Sequence, residues 1–426
     1  MTQKKNVPVG EVCQSDIEKE RIELENSPII PPIIENNAGE KKGSRPKKIP
    51  KNNIFYSAKE EISSTYHLRH NDIKLEVEAA DIGTDNFKTL NEDNLYCQLR
   101  ESDIKISKSD VQSILKSDFV ERYDPIRKFF ENLKPYVEGE PDYIELLANY
   151  VKADNQEEFN KHFKKHLIRT VKCGFELFYF NKQAFILVHI TQNSGKTTFC
   201  RFLCPPDLIQ YFAEDISTDK DGLILLAKNF LINLDELSTL QKAEINALKS
   251  YFSKTSINVR LPYQSKNSNI ARRASFIGST NLAQFLSDET GSVRWLCFSI
   301  NSIDFNYSKD IDINNVWRQA YYLYKQGVNP ELTKDEVLEN ERRNSQFQQI
   351  SLEEELVTKY FERPNDDNFT EKEFLQSTDI TAYIKMQSGF TRVNIVQIGK
   401  VLNKYFEREK RTKDRIQVYG YWVVKI

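Results

Sequence analysis

The stretch from Phe185 to Cys204 constrains the fold of this chain more than any other. An apolar run from Phe185 to Val188 leads into a short polar loop that ends in Gly195-Lys196-Thr197, and an amphipathic helical pattern follows at once. This order predicts a strand, a loop and a helix, in which backbone N–H groups and the positive end of the helix converge on phosphate groups. Lys196 would add a mobile positive charge. The stretch therefore predicts a phosphate-binding P-loop.

One position departs from the usual P-loop pattern. The consensus places its first glycine where this chain has Ile190. A β-branched residue cannot take the backbone angles that glycine allows. The interpretation of the stretch as a P-loop therefore depends on support from the rest of the chain.

A second motif lies downstream, in the segment from Phe230 to Glu236. An apolar run there ends in the adjacent acids Asp235 and Glu236. Such a strand suits a Walker B site, in which Asp235 helps to hold Mg²⁺ and Glu236 polarises the attacking water. Adjacent acids after an apolar run also arise by chance, so this prediction depends on the P-loop upstream.

Two further polar residues stand next to predicted strands. The segment from Ala274 to Asn281 predicts a buried strand with the Asn281 amide at its tip, placed to orient the attacking water. The alternative is an ordinary turn asparagine, since Asn is favoured where strands end. Arg294 precedes another apolar run and is either an arginine finger directed at a neighbouring subunit's nucleotide or part of a surface ion pair.

A β-hairpin is predicted between Lys254 and Asn269. Its strands alternate Ile257, Val259 and Leu261 with polar residues, and a polar turn follows. The charged residues of this region are all basic. Its basic residues are Lys254, Arg260, Lys266, Arg272 and Arg273.

The length of the chain, 426 residues, exceeds that of one ordinary domain and favours a core with smaller flanking modules. The N-terminal segment, residues 1–52, has the proline-rich and charged composition of a disordered segment. The predicted units are a disordered basic arm (1–52), a small α+β module (53–122), a helical lead-in (123–182), a P-loop core (183–330) and a helical connector with a winged-helix-like domain (331–426).

Local patterns add detail to these units. In the lead-in, His162 and His166 are one turn apart among lysines, and without further zinc ligands nearby they are predicted to lie on a solvated basic face. Residues 207–216 predict a strand and residues 371–386 a helix. Near the end of the chain, basic residues beside Tyr419, Tyr421 and Trp422 fit a nucleic-acid surface, and a core role for the aromatic residues is equally consistent.

Charge and cysteine usage limit the classes of partner and compartment. The chain carries 60 basic and 62 acidic residues, a net charge of −2, so contacts with nucleic acid must come from local patches. Its six cysteines show no CxxC pairing, and no signal peptide or long apolar span is evident. Free thiols, a reducing cytoplasm and no membrane association are expected.

The combined motifs resemble the virulence-associated E family of P-loop ATPases, which belongs with the superfamily 3 helicases of phages, plasmids and mobile elements. The resemblance runs from DFVERYDPIRKFFENL through QNSGKTTFCRFLCP, NLDEL and RRASFIGSTNLAQFLSDETGSVRW to IDINNVWRQAYYLYKQG. It departs from the family at Ile190 and at the family's paired arginines, which are reduced here to Arg294 followed by Trp295.

The resemblance implies roles for individual residues. Lys196 would contact the phosphates, Thr197 and Asp235 would hold Mg²⁺, and Glu236, Asn281 and Arg294 would act in catalysis. The residues implied to bind the nucleotide are Gln192, Asn193, Ser194, Gly195, Lys196, Thr197 and Thr198. The hairpin corresponds to the loop that grips single-stranded DNA in such ring motors, which assigns DNA contacts to Lys254, Arg260, Lys266, Arg272 and Arg273.

The expected fold is an α/β, RecA/AAA+-like P-loop core with a helical N-terminal module and a C-terminal winged-helix-like domain. The expected activity is that of an ATP- and Mg²⁺-dependent DNA motor, in a hexameric ring, working with replication or mobilisation proteins of a mobile element. Two alternatives stay open: a switch or scaffold that binds ATP and DNA with little hydrolysis, and a small-molecule kinase.

Overall fold

The computed structural model describes seven stretches of the chain: 53–235, 237, 242–259, 267–286, 292–365, 368–413 and 416–426. The predicted disordered arm, 1–52, lies outside the described residues.

The N-terminal part of the described chain contains helices and a small sheet. Its four-stranded sheet has the order β3-β2-β1-β4, and its helices pack on one another through apolar side chains such as Leu95 and Ile114. Ser107 caps the last helix by accepting a hydrogen bond from the Asp110 amide. The elements are α1 (Ile54–Thr65), β1 (Tyr66–Asn71), β2 (Glu76–Asp81), β3 (Lys88–Thr89), α2 (Glu92–Glu101), α3 (Lys108–Leu115) and β4 (Glu121–Tyr123).

The central part of the chain alternates helices and strands. Short 3-10 turns occupy Pro206–Tyr211 and Ser292–Arg294. The elements are α4 (Pro125–Asn132), α5 (Tyr143–Ala148), β5 (Val151–Ala153), α6 (Gln156–Phe175), β6 (Ala184–Val188), α7 (Lys196–Phe202), β7 (Phe212–Glu214), α8 (Lys220–Lys228), β8 (Leu231–Leu234), α9 (Lys242–Phe252), β9 (Ser256–Val259), β10 (Ser268–Ala271), β11 (Ser275–Thr280), β12 (Trp295–Ile303), α10 (Tyr307–Asp310), α11 (Ile313–Lys325) and α12 (Lys334–Ser345).

A six-stranded sheet of order β5-β12-β6-β11-β8-β7 organises this central part. Five of its strands run parallel, and β5 pairs antiparallel with β12. The register sets Val188 beside Thr280 and Leu234 beside Gly278. The carboxyl ends of β6, β11 and β8 therefore lie side by side, and the loops that follow them meet at one edge of the sheet.

Both faces of the sheet are buried, which explains the uninterrupted apolar run of β6. Phe185 and Leu187 share one hydrophobic cluster with Phe159 and Phe163 of α6. Ile186 points to the opposite cluster, which α8 and α9 complete. The segments predicted as a helical lead-in and as the P-loop core thus share one hydrophobic cluster, because α6 packs directly on the central strand.

The burial of α6 overturns one prediction. His162 and His166 were expected on a solvated basic face, but both are fully buried. The two rings contact Phe298 and Phe185, with centroids 5.9 and 5.5 Å apart. The lysines between them in the sequence misled the prediction, because long lysine side chains reach solvent from a helix whose other positions are covered.

A second correction concerns residues 207–216. The apolar positions there predicted one strand, whereas the first half of the segment belongs to the 3-10 turn and only Phe212–Glu214 pairs with β8. Pro205 and Pro206 account for the difference, because proline cannot donate the hydrogen bonds of an internal strand.

Helix α12 covers the open edge of β12. Among the described residues, β5 pairs with β12 from Ile300 onward. Two carbonyl groups before that point are taken by side chains of α12: Asn340 and Asn344 donate to Trp295 O at 3.0 and 2.7 Å, and Arg343 Nε donates to Cys297 O at 3.0 Å. Side chains thus replace the missing backbone partner.

The C-terminal module combines three helices with a small sheet. Helices α13, α14 and α15 pack on Tyr421 and Val423 of the last strand. The sheet has the order β13-β16-β14, with β15 also paired to β16. The elements are α13 (Leu352–Tyr360), β13 (Phe361–Glu362), β14 (Glu373–Leu375), α14 (Ser377–Ser388), α15 (Ile395–Tyr405), β15 (Arg408–Lys413) and β16 (Ile416–Lys425), with a 3-10 turn at Phe369–Glu371.

This arrangement corrects the helix predicted over residues 371–386. Glu373–Leu375 instead pairs with β16, with Phe374 opposite Trp422, and the helix begins at Ser377. Cross-strand packing of the aromatic residues outweighs the local helical pattern.

The described cysteines agree with the expectation of free thiols. Cys97, Cys173, Cys200, Cys204 and Cys297 are free thiols. Cys200 and Cys204 are buried in the central hydrophobic cluster rather than placed at a metal site. Over the described part of the chain, no helix has the length and apolar character needed to cross a membrane.

Candidate functional site

The loop between β6 and α7 lies at the carboxyl edge of the central sheet. Two of its residues have left-handed backbone conformations, Asn193 with φ 57° and Gly195 with φ 86°. Gly195 directly precedes the first residue of α7, Lys196. Asn tolerates this region better than most residues and glycine adopts it freely, which accounts for the Asn-Ser-Gly sequence of the loop.

The position of Gly195 also depends on close packing. A Cβ atom at Gly195 would lie 2.6 Å from two ring atoms of Phe305. Phe305 follows β12 and is 54% exposed, so the loop rests against an aromatic ring that borders solvent. Glycine is therefore required here both for its backbone conformation and for its missing side chain.

Ile190 does not strain the loop. It is 75% exposed, and it is not among the described residues with positive φ. The loop turns at Asn193 and Gly195 instead of at the first consensus position. The sequence-based objection, that isoleucine cannot take glycine's backbone angles, therefore does not apply to this conformation.

The Lys196 side chain folds back onto the loop. Its Nζ donates to His189 O at 3.1 Å, Thr191 O at 3.2 Å, Ser194 Oγ at 2.8 Å and Asn281 Oδ1 at 2.7 Å. Lys196 is only 5% exposed, and burial lowers the pKa of its ammonium group while the nearby Asp235 opposes that shift. The arrangement is a buried cation ringed by neutral oxygen acceptors, which an anionic ligand would replace favourably.

Beside the lysine, three side chains from different elements share hydrogen bonds. Thr197 Oγ1 on α7 and Ser279 Oγ on β11 each donate to Asp235 Oδ1 at 2.9 Å. The two hydroxyl oxygens are 3.4 Å apart. A carboxylate and two hydroxyl groups in this arrangement offer the hard oxygen ligands that Mg²⁺ prefers.

The cavity over this edge gathers the predicted nucleotide-binding residues. Its volume is about 380 Å³. Its lining consists of Gln192, Asn193, Ser194, Gly195, Lys196, Thr197, Thr198, Arg201, Asp235, Ser279, Thr280 and Asn281. The structure thus brings together all seven residues of the predicted loop site with Asp235 and Asn281.

Several lining and supporting residues were missed by the sequence analysis. Ser279 was passed over because a serine inside an apolar strand has no motif of its own. Arg201 lies one helical turn after Thr197 and forms an ion pair with Glu214. Asp215 accepts a hydrogen bond from the Asp235 amide at 3.2 Å. The one sequence feature that indicated a supporting role for Asp215 is its position at the end of a predicted strand, next to Glu214.

Not every predicted catalytic residue lies at this edge. Arg294 directly precedes β12, whose first residue, Trp295, pairs with Ala184 at the start of β6, so Arg294 sits at the opposite, amino end of the sheet. Its Nε donates to Ser253 Oγ at 3.2 Å. Any contact between Arg294 and a nucleotide would therefore have to involve another subunit. Glu236 lies outside the described residues.

The predicted hairpin is present in its two strands. β9 and β10 pair antiparallel, with Asn258 opposite Asn269, and Ile257 and Val259 anchor the pair in the hydrophobic cluster. Lys254, half-buried, precedes β9. Arg260 and Lys266, assigned to DNA contacts, lie outside the described residues.

The positions of Arg272 and Arg273 contradict the prediction that they contact DNA. Arg272 is fully buried, and its guanidinium donates to the carbonyl oxygens of Ala274, Tyr251, Phe252 and Asn181. Arg273 is 8% exposed and pairs with Asp124 at 3.2 Å. Both guanidinium groups tie together the segments that meet at the amino end of β11.

The described residues of this site do not form a preformed metal cluster. Among the described residues, no group of three or more His, Cys, Asp and Glu side chains is arranged to hold a metal ion. The described lining of the cavity supplies one carboxylate, that of Asp235, together with hydroxyl groups. Such a set suits Mg²⁺, which proteins commonly bind through one or two carboxylates together with the phosphates of a substrate.

The sequence of the chain matches one known protein family. A family model described as the virulence-associated protein E-like domain matches residues 131–349, more than half of the chain. No curated protein matches its sequence.

Solved structures similar to the chain include an apo structure of the NrS-1 C-terminal region (305–718), with 13% sequence identity and a TM-score of 0.51 over 87% of this chain and 99% of that one. Two further apo structures of the same region, described as the A form, are 12% identical with TM-scores of 0.47 and 0.49. They cover 88% and 87% of this chain and 99% of their own. The structure of residues 305–718 with the TM-score of 0.51 shows that the two chains share a fold.

Proposed function

Because the chain belongs to the virulence-associated protein E-like family, we propose that it is an ATP-dependent motor that acts on DNA in the replication or mobilisation of a mobile genetic element. The observation that carries the proposal is the convergence of Lys196, Thr197, Asp235 and Asn281 on one cavity at the carboxyl edge of a parallel sheet. This is where ligands bind in open α/β folds.

The architecture supports the proposal. A parallel sheet with helices on both faces is what a RecA/AAA+-like P-loop core requires, and the loop, Asp235 and Asn281 follow its adjacent strands β6, β8 and β11. The C-terminal module, three helices and a β-ribbon, is consistent with a winged-helix-like domain.

Nucleotide binding would begin with an exchange of partners at Lys196. Its Nζ now donates to four oxygens of the loop and of Asn281. A β- or γ-phosphate oxygen carries more negative charge than any of these acceptors and would form a stronger, charge-assisted hydrogen bond. Release of Asn281 from Lys196 frees its amide to hold the attacking water, the role we assign to it.

The Thr197 hydroxyl and the Asp235 carboxylate would hold Mg²⁺ together with phosphate oxygens of the substrate. Bound there, Mg²⁺ supplies charge neutralisation at the phosphates. Ser279 has a positioning role, since its hydrogen bond to Asp235 Oδ1 fixes the carboxylate. Glu236 follows Asp235 directly in the sequence and is assigned to polarise the water.

The DNA-dependent part of the proposal involves the opposite end of the sheet. Arg294 lies there, and the β9–β10 hairpin joins the sheet at the same end, because β10 ends at Ala271 and β11 begins at Ser275. In a homo-oligomeric ring, expected to be a hexamer, Arg294 would reach the nucleotide of a neighbour and the hairpin would project toward single-stranded DNA. Lys254, Arg260 and Lys266 are the hairpin residues assigned to that contact.

The decisive experiment measures ATP hydrolysis with and without single-stranded DNA for the wild type, Lys196→Ala and Glu236→Gln. We expect DNA to stimulate turnover and each substitution to reduce it at least about 100-fold. A rate of ATP hydrolysis that is changed neither by DNA nor by either substitution would rule out a motor. Analytical ultracentrifugation with ATP and DNA tests the ring, because a protein that stays monomeric leaves Arg294 without a target.

A second candidate is an ATP-binding switch or scaffold associated with DNA, with little hydrolysis. Ile190 favours it, since the family normally has glycine at the first loop position. The Ile190 side chain is exposed and its backbone φ is not positive, so neither property opposes nucleotide binding. Ile190→Gly separates the candidates: increased turnover indicates an impaired motor, whereas nucleotide binding with no turnover in either protein indicates a switch.

A further inference from the structure

The last strand of the chain has two different faces. Tyr421 and Val423 of β16 are 3% and 0% exposed and pack against the helices of the C-terminal module. Successive strand residues point to opposite sides, so Trp422 lies on the other face. There it meets Phe374 of β14, with ring centroids 5.5 Å apart and an interplanar angle of 65°.

Two cations accompany these aromatic rings. The Arg411 guanidinium carbon lies 4.4 Å from the Trp422 ring centroid and 5.4 Å from that of Phe374. Lys372 Nζ lies 3.1 Å from the ring centroid of Phe369 and 5.0 Å from that of Trp422. We call this set, Phe369, Lys372, Phe374, Arg411 and Trp422, the cation–aromatic face.

The cation–aromatic face is accessible to solvent. Phe369 is 56% exposed and the Arg411 side chain 49% exposed, while Trp422 and Phe374 are half-buried. A tryptophan and two phenylalanines arranged in this way are not needed for the core of the module, which is complete on the opposite side. Exposed aromatic residues beside cations are typical of binding surfaces.

Positive charge continues beyond the face along β15. The strand contains Arg408, Lys410, Arg411 and Lys413 but only one acid, Glu409. Glu409 is itself engaged, because it accepts a hydrogen bond from Trp422 Nε1 and lies 3.6 Å from Arg411. Arg408 lies 4.3 Å from the ring of Tyr419, which is 50% exposed and extends the surface to the other side of the sheet.

We propose that the cation–aromatic face binds single-stranded nucleic acid. Bases would stack on Trp422 and the neighbouring phenylalanines, and Lys372 and Arg411 would contact backbone phosphates. In the free protein these two flexible side chains cover the rings. A base would take the place of one of them, and the displaced cation would remain within reach of the adjoining phosphate.

The chemistry favours a nucleic acid over an acidic polypeptide. Carboxylate groups would be attracted to Lys372 and Arg411 but would gain nothing from the rings. Every nucleobase, in contrast, has a planar π-face that stacks on an aromatic side chain, and unpaired strands expose these faces. A duplex hides them, so the face should prefer single strands.

This inference goes beyond the proposed ATP-dependent function. The cation–aromatic face lies between residues 369 and 422, outside the matched family domain at 131–349, and it uses none of the residues that line the cavity. It requires no nucleotide, so binding can be measured without ATP or Mg²⁺.

The test measures fluorescence anisotropy of labelled oligothymidylate and oligouridylate, each about 20 nucleotides long, with the full chain and no nucleotide. We expect Trp422→Ala to weaken binding about 5- to 100-fold and Trp422→Phe to retain most of it, since one stacking platform is lost or kept. Lys372→Ala and Arg411→Ala should each weaken binding and reduce its salt dependence. The relative affinities for the two oligonucleotides distinguish DNA from RNA as the ligand.

A matched control removes a cation beside an aromatic ring elsewhere in the module. Lys359 lies 5.5 Å from the Tyr360 ring on α13 and is not part of the cation–aromatic face, so Lys359→Ala should bind as the wild type does. Intrinsic fluorescence gives a local readout, because Trp295 and Trp317 are 1% and 0% exposed. Stacking on Trp422 should therefore quench its emission and protect it from acrylamide.

The outcomes are separable. Unchanged affinity in Trp422→Ala, Lys372→Ala and Arg411→Ala, with no quenching of Trp422, overturns the inference; if Trp422→Ala fails to fold, the two cation variants and quenching of the wild type decide. Quenching by polyglutamate but not by oligonucleotides would indicate an acidic polypeptide partner and would also overturn it. Lys196→Ala should bind as the wild type does, so loss of ATP hydrolysis alone contradicts only the proposed function.

Discussion

Asn281 Oδ1 accepts a hydrogen bond of 2.7 Å from Lys196 Nζ, although the two residues are 85 positions apart in the sequence. The bond exists because parallel pairing of β6 and β11 brings the loops after both strands to one edge of the sheet. The proposed function requires this bond to break, since Lys196 must turn to phosphate and Asn281 to water.

The first prediction follows from that exchange. Asn281→Ala should leave nucleotide binding intact, because Lys196 keeps its other acceptors until phosphate replaces them, but should lower the hydrolysis rate about 100-fold. Phosphate release and binding of a fluorescent ATP analogue measure the two effects. Asn301→Ala, at an exposed position of β12, is the control. A loss of binding equal to the loss of turnover would show that Asn281 supports the loop and does not act on water.

The second prediction concerns Gly195 and Phe305. Gly195→Ala adds a Cβ atom 2.6 Å from the Phe305 ring, at a backbone φ of 86°. The left-handed conformation alone costs a non-glycine residue about 1 to 2 kcal/mol, and displacement of the ring adds to that cost. We expect nucleotide binding to fall at least about 10-fold, with partial recovery in the double variant Gly195→Ala/Phe305→Ala.

Gly327→Ala separates these two contributions. Gly327 has φ 71°, and nothing lies within 4 Å of the position of a Cβ atom there. The substitution therefore introduces backbone strain without a steric clash. Thermal unfolding of both single variants measures the difference, and equal destabilisation would show that Phe305 yields without cost.

The third prediction tests the reassignment of Arg272 from DNA contact to the interior. Arg272→Met keeps the length of the side chain but removes the guanidinium donor from four carbonyl groups, those of Ala274, Tyr251, Phe252 and Asn181. Loss of such a network should lower the free energy of unfolding by about 3 to 5 kcal/mol. Lys254→Met, at the half-buried position before β9, should change it by less than about 0.5 kcal/mol. Urea denaturation checks both, and a stable Arg272→Met protein with weakened DNA binding would restore the original assignment.

The fourth prediction concerns acid stability. Burial, together with the charge of Arg343, lowers the pKa of His162 to about 4, and burial with Arg169 lowers that of His166 well below its usual value. In the unfolded chain both titrate near pH 6.5, so between that pH and about 4 the unfolded chain binds more protons. Their stabilising contribution is complete above about pH 6.5 and is lost as the pH falls toward 4, by up to about 1.4 kcal/mol per pH unit for each histidine.

His166→Phe should remove one of these two contributions. Among the described residues, neither ring nitrogen of His166 has a hydrogen-bond partner, and the ring lies against Phe185. The variant should therefore be at least as stable near neutral pH and less sensitive to acid, as urea denaturation between about pH 7 and 5 will show. His67→Phe, at an exposed position, should leave the pH dependence unchanged.

The sequence was sufficient to predict that Lys196, Asp235 and Asn281 meet at the carboxyl edge of the sheet. Lys196, Asp235 and Asn281 each follow an apolar strand, and parallel pairing brings such positions together whatever the loops do. Their convergence is present in the structure, while their chemical roles stay predictions. Phe305 could not be found in this way, because it contacts Gly195 only through the path that the chain takes after β12.

The wrong predictions share a physical cause. His162, His166 and Arg272 are polar residues that tertiary contacts bury, and periodicity assigns polar residues to the surface. Burial of Arg272 is offset by four carbonyl acceptors that come from three separate segments of the chain. No local pattern contains that information. At the C-terminus, the same limit made Phe374 part of a predicted helix, although its partner is Trp422 across the sheet.

The arrangement of α12 on β12 protects one strand edge of the central sheet against intermolecular strand addition. An uncovered strand edge is a template on which another chain can add a strand, and such addition leads to fibres. Here Asn340, Asn344 and Arg343 already occupy the carbonyl groups of Trp295 and Cys297. An incoming strand would have to displace the whole of α12 before it could form its first hydrogen bond with β12. Helix α12 therefore opposes intermolecular strand pairing at this edge when the protein is concentrated.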